Sequence, residues 1–127
     1  MQKHRLLLAV AAITVVAQAD PLPPAARAEV DALLARLQTS GCEFNRNGSW
    51  YAGADARAHL LKKLNYLEGK NLVQTAEQFI ERGASGSSMS GTPYLVRCAG
   101  KLPVQSAQWL KAELQQVRTA RAASSPQ

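Results

Sequence analysis

The stretch Ser85-Gly-Ser-Ser-Met-Ser-Gly-Thr-Pro-Tyr94 gathers four serines, a threonine and a tyrosine in ten residues. A serine becomes a nucleophile only with a base in hydrogen-bond reach and a third group to orient that base. Beyond the amino-terminal segment the chain holds a single histidine, His59. The nucleophile-elbow pattern G-x-S-x-G nearly fits Gly86 to Ser90, but Ser90 stands where the last glycine belongs. The elbow also needs a strand before it and a helix after it, and the pattern here reads helix, loop, strand. Gly86 and Gly91 have the spacing of a phosphate loop, yet Thr92-Pro93 replaces the Lys-Ser/Thr pair that such a loop requires. One histidine and two cysteines make no metal ligand set, so no metal and no cofactor is expected. A hydrolase using His59 and a loop serine is therefore the lesser alternative, and no catalytic residue is assigned.

The same side chains suit recognition. On a helix, His59, Lys63 and Tyr66 fall on one side. With the hydroxyl-rich loop and a nearby turn they form a candidate binding set of Arg46, Asn47, His59, Lys63, Ser85, Ser88, Ser90 and Tyr94. The packing interpretation of His59 is a half-buried ring bonded to the turn, with Lys63 solvated. Ser90-Gly91-Thr92-Pro93-Tyr94 is similar to the Ser-Gly-x-x-Tyr loop of some periplasmic lysozyme inhibitors. That resemblance implies a second alternative, an inhibitor or immunity-type protein that blocks a cell-wall hydrolase.

Compartment follows from the first nineteen residues. A basic start, MQKHR, precedes a twelve-residue apolar run, Leu6 to Ala17, and Ala17-Gln18-Ala19 supplies a small-x-small cleavage pattern. This is a signal peptide cleaved after Ala19, and no integral membrane segment is expected in the mature chain, 20–127. Losing Lys3 and Arg5 leaves thirteen basic against nine acidic residues, a mature charge of +4 instead of +6. No basic block marks a nucleic-acid surface. In an oxidising compartment two cysteines, Cys42 and Cys98, read as one disulfide. The expected location is the periplasm, and the expected partner is an envelope protein or cell-wall component.

The mature length suits a single domain with one modest core. Residues 20–24, rich in proline, are expected as a loose leader and 122–127 as a loose tail. Val30, Leu33, Leu34 and Leu37 repeat with helical spacing over about Ala25 to Gln38. Asn47-Gly48 between Cys42-Glu-Phe44 and Trp50-Tyr51 predicts a hairpin. Asp55 is placed to cap a helix over about Ala56 to Leu67, ended by Gly69. Thr75 with Gln78 signals a short third helix that Gly83 closes. Pro93 to Cys98 is β-prone, and Ser106 is placed to cap a last helix with Trp109, Leu110, Leu114 and Val117 in a stripe. The fold class is α+β, a small antiparallel sheet of a hairpin plus one strand covered by about four helices.

Five segments together, SGCEFNRNGSWY, ARAHLLKKLNYL, TAEQFIERGAS, SGTPYLVRC and WLKAELQQVR, resemble the YfeK-like family of small exported bacterial proteins of unknown function. The likeness runs from about Val30 to Arg118 in the family's order, and its most specific part is Cys-x-Phe-x-Arg-Asn-Gly-x-Trp-Tyr from Cys42 to Tyr51. His59, Lys63, Ser85, Ser88, Ser90, Tyr94 and Cys98 match as well. Leu64 departs from it, standing where an aromatic is frequent. The resemblance implies a Gram-negative periplasmic protein and carries no activity with it.

Overall fold

The computed structural model describes residues 8–12 and 21–124. The proposed cleavage site, the basic start and the rest of the apolar run lie outside these residues, while Leu8–Ala12 are irregular and exposed. In chain order the elements are helix α1 (Pro24–Thr39), strands β1 (Glu43–Arg46) and β2 (Ser49–Ala52), helices α2 (Gly53–Gly69) and α3 (Ala76–Gly83), strands β3 (Leu95–Arg97) and β4 (Val104–Gln105), and helix α4 (Ser106–Ser124). The strands form one antiparallel sheet in the order β2-β1-β3-β4.

The α+β architecture agrees with the sequence pattern, with one more strand than expected. β4 is two residues long, too short to display an alternation, and it is recruited by pairing Leu95 with Gln105 and Val96 with Val104. The adjoining Ser106 does not cap α4. It is fully buried, its amide donates to Tyr94 O at 2.9 Å, and its hydroxyl donates to the Ala84 carbonyl. Asp55 does not cap α2 either. That helix starts at Gly53 directly from β2, with Asp55 in its first turn. Gly53 is packed so tightly that a Cβ there would lie 2.5 Å from Leu37 O, which lets α2 begin against the end of α1. At the far end the left-handed residue is Asn71 (φ 56°), not Gly69. Leu72 N donates to Leu67 O and Asn71 N to Glu68 O, the bond pair of a Schellman stop. Thr75 caps α3 as expected, accepting from Gln78 N at 3.0 Å.

The core lies between the helices and one sheet face. Val30, Leu33, Leu34 and Leu37 of α1 are fully buried and pack with Leu60, Leu64, Phe79, Ile80, Leu110 and Leu114. Pleat alternation turns Phe44, Tyr94 and Val96 inward, and the Phe44 and Tyr94 rings sit 5.0 Å apart. On the other face Arg97 bonds Glu43 at 2.9 Å and lies 4.0 Å over Trp50. Within the expected leader Leu22 is buried in the core, and Ala122 to Ser124 continue α4.

A disulfide joins Cys42 to Cys98, just beyond the Glu43–Arg97 pair of the β1–β3 ladder. On the chain-entropy account, closing a loop of 56 residues stabilises the fold by about 4 kcal/mol. Cross-linking these strands fixes where β3 begins and ends, and so where Tyr94 sits.

Candidate functional site

Three pieces of chain converge at the end of the sheet away from the disulfide. Asn47 (φ 51°) and Gly48 (φ 86°) turn the hairpin with both residues left-handed, and Arg46 ends β1 beside that turn. Helix α2 carries His59, Lys62, Lys63 and Tyr66 at successive helical neighbours. The serine-rich loop folds on itself: Ser87 N donates to Thr92 O, Gly91 N to Ser87 O and Tyr94 N to Ser85 O, each near 2.9–3.0 Å. Ser90 Oγ then donates to Asn47 Oδ1 at 3.1 Å, tying loop to hairpin. The loop is thus an ordered element, not slack chain.

Between these pieces is a pocket of about 480 Å³. The hairpin gives it Arg46 and Asn47; α2 gives His59, Lys62, Lys63, Tyr66 and Leu67. Arg82 of α3, Ser87, Ser88 and Met89 of the loop, and Tyr94 complete the wall.

At its base runs a chain of donors. Arg46 Nη1 lies 2.7 Å from His59 Nδ1. A guanidinium can only donate, so Nδ1 accepts and the neutral ring carries its proton on Nε2. His59 Nε2–H therefore donates to the Tyr94 hydroxyl oxygen at 3.2 Å. Lys63 Nζ donates to the same oxygen at 3.1 Å and to Gly86 O at 2.9 Å. Lys63 also lies 4.9 Å from the Tyr94 ring centroid, and Arg46 lies 5.0 Å from that of Tyr51.

The electrostatics follow. Partial burial pushes His59 down to about 4, and the positive charges of Arg46, Lys63 and Lys62 push the same way, so the ring is neutral at pH 7. Burial, then Arg46, lowers Lys63. Burial raises Tyr94 against a smaller opposing pull from Arg46, so the phenol stays protonated. Among the described residues no carboxylate lies within ion-pair distance of Arg46, Lys62, Lys63 or Arg82.

Of the eight residues singled out from sequence, Arg46, Asn47, His59, Lys63, Ser88 and Tyr94 line this pocket. Ser85 and Ser90 do not. Ser85 Oγ is spent on Ile80 O at the end of α3, and Ser90 Oγ bridges Asn47 and Thr92. Lys63 is not solvated as the packing interpretation expects, since its ammonium anchors Gly86 and Tyr94. Tyr94 is 2% exposed and held beneath the pocket, so it does not protrude from the Ser90–Tyr94 loop. Both ring nitrogens of His59 are occupied by Arg46 and Tyr94, and no serine hydroxyl is bonded to the ring among the described residues. Sequence reasoning missed Lys62, Leu67, Arg82, Ser87 and Met89, and left Tyr66, placed on the same helix side as His59 and Lys63, out of the set. Lys62 was available from helical spacing, three residues after His59; Arg82 enters only through the packing of α3 on α2.

Fold and site together define a small disulfide-stapled α+β domain with a cationic pocket at one end of its sheet. The chain belongs to the Family of unknown function (DUF5329), which matches residues 24–118. It is similar to the "Uncharacterized protein YfeK" of Salmonella typhimurium (strain LT2), 41% identical over 68 residues, as the resemblance in the hairpin and helices implied. That stretch covers 53% of this chain, and the chain spans about half, 55%, of the relative's length. No solved structure matches.

Proposed function

We propose that the protein is exported to the periplasm and acts there as a non-catalytic binding module, taking an envelope protein or a cell-wall fragment at the pocket between hairpin tip, α2 and serine-rich loop. The observation that carries this reading is convergence. Arg46, His59, Lys63, Ser88 and Tyr94, spread over almost fifty residues of chain, line one hollow whose cations have no acid to neutralise them among the described residues. A stable fold gains nothing from clustering unpaired positive charge, whereas a binding site does. Export is supported by the amino-terminal pattern and by the disulfide, and no helix among the described residues is long and apolar enough to cross a membrane. Among the described residues His59 has neither a bonded serine nor an orienting carboxylate, which favours binding over hydrolysis.

The test is a backbone amide NMR titration of the mature protein with muramidase-digested peptidoglycan and, separately, with periplasmic extract. The expected result is a set of shifts confined to Arg46, Asn47, His59, Lys63, Ser88 and Tyr94. Shifts confined to the Trp50–Arg97 face, no shifts at all, or consumption of a digest component would overturn the reading.

A further inference from the structure

The Tyr94 hydroxyl carries a constraint that points to ligand chemistry. Its oxygen accepts from both His59 Nε2–H and Lys63 Nζ–H, and the direction of the first bond is dictated by Arg46 at Nδ1. Both lone pairs are then filled, leaving the phenolic proton with no acceptor among the described residues. Lys63 has likewise placed two of its three N–H groups, and Arg46, which bonds the His59 ring through Nη1 and also bonds the Tyr51 side chain, still keeps N–H groups of its five. Arg46, Lys63 and Tyr94 at the pocket's base each keep a hydrogen to donate, while His59 has spent its one N–H on Tyr94.

Resting on the binding reading above, we infer that the pocket receives an oxyanion, a carboxylate or phosphate group, which accepts the Tyr94 O–H and N–H groups of Lys63 and Arg46. An oxyanion supplies only acceptors and negative charge, the two things this constellation lacks, and charge-assisted bonds of this kind are the strong ones. The size of the hollow adds a second feature. About 480 Å³ is far more than a bare anion fills and lies within the range of small organic ligands. Tyr66, Leu67 and Met89 offer an apolar wall on the same pocket, and Tyr66 and Met89 are largely exposed. The ligand is therefore amphipathic, an acidic group on a short apolar body. Neutral His59 serves as a positioning residue, passing the donor direction set by Arg46 on to Tyr94.

Three probes with aromatic bodies test this: N-acetylphenylalanine, its neutral amide, and phenyl phosphate, each titrated against the mature protein and read at the Tyr94, Lys63 and Ser88 amides. The acid, the phosphate or both should bind, with affinity falling as sodium chloride rises. Whichever anion binds better identifies the source of the oxyanion, and the amide should bind at least tenfold more weakly, about what one lost charge-assisted bond removes. Tyr94→Phe keeps the ring against Phe44 and should weaken the anion by roughly tenfold. Should that variant fail to fold, Arg46→Gln at the hairpin end provides the same measurement. Equal binding of acid and amide, unchanged affinity in the folded variant, or no binding of either anion overturns the inference. If peptidoglycan digest still shifts the pocket while both anions fail, binding stands and the oxyanion falls.

Discussion

Two clusters of charge in this small domain are built on opposite principles. In the first, Glu29 of α1 accepts from Arg118 Nε at 2.8 Å and Nη2 at 3.1 Å, with Arg121 at 3.4 Å, while Arg118 also reaches Glu77 of α3 at 2.5 Å. Helices α1, α3 and α4 are thereby clamped together. The hydrogen bond from Arg118 holds the Glu29 carboxyl below its ordinary value despite partial desolvation, and the two arginine charges add to it; Arg118 is raised in turn. In the second, Arg46, Lys62 and Lys63 surround a neutral histidine with no acid in reach among the described residues. Each cluster involves half-buried groups and long side chains. The difference is closure. A closed network stabilises helices that already touch, whereas an open one leaves its charge to be met from outside the chain.

The largest expected effect comes from breaking the closed side. Glu29→Gln keeps the shape of the side chain but leaves Arg118 and Arg121 facing a weak acceptor. It should cost about 1–2 kcal/mol, since bonds to charged groups are worth that order and Arg118 is partly exposed. In a domain of this size the midpoint of thermal unfolding should fall by roughly 5–10 °C. Pocket amides, and the response of Tyr94 to phenyl phosphate, should not change. A variant that melts normally yet loses the anion would mean that the two clusters are one system.

pH separates the clusters more finely, because both lose stability on acidification but in different windows. His59 is held near 4 in the folded chain and titrates near 6.5 when unfolded. The unfolded state therefore binds more protons between these values, so stability is fully present above about pH 6.5 and is lost as pH falls toward 4. Glu29 is depressed, so its contribution is present above the ordinary carboxylate value and lost only as pH falls below it. Chemical denaturation from pH 7 to 5 should show a decline on the order of 1 kcal/mol after allowance for solvent screening, and His59→Gln should abolish it. If Glu29→Gln abolishes that decline instead, the titration has been assigned to the wrong cluster.

Legibility in the sequence tracks the same division between local and long-range chemistry. The helical stripes of α1 and α4, the Asn47-Gly48 turn and the Thr75 cap are local patterns, and the structure contains all of them. β4 was invisible because two residues show no period and Val104–Gln105 is a strand only through its partner β3. Asp55 and Ser106 are good caps by composition, but α2 and α4 start directly from strands, which leaves a side-chain cap no place. The hydroxyls of the loop read alike in one dimension. Folding gives Ser85 to a helix end, Ser87 to the loop's own amides and Ser90 to the hairpin, leaving Ser88 beside the pocket. The donor direction through Arg46, His59 and Tyr94 needs three elements in register, and no spacing rule within one segment could reveal it.

The smallest effect tests which side of the comparison Lys63 belongs to. Its ammonium bonds Gly86 O and so anchors the start of the serine-rich loop, yet it carries charge that burial and Arg46 both disfavour. Lys63→Met retains most of the stem and removes both the anchor and the repulsion. These act in opposite directions, so global stability should move by no more than about 0.5 kcal/mol. Locally the anchor alone counts. The amides of Ser87, Gly91 and Tyr94, bonded within the loop, should exchange with solvent several-fold faster than in the parent, while amides of Leu33 and Leu34 exchange as before. Unchanged loop exchange would mean that Lys63 does not hold the loop and is kept for its charge alone. A large loss of global stability would place it with Glu29 and Arg118, as part of a closed network.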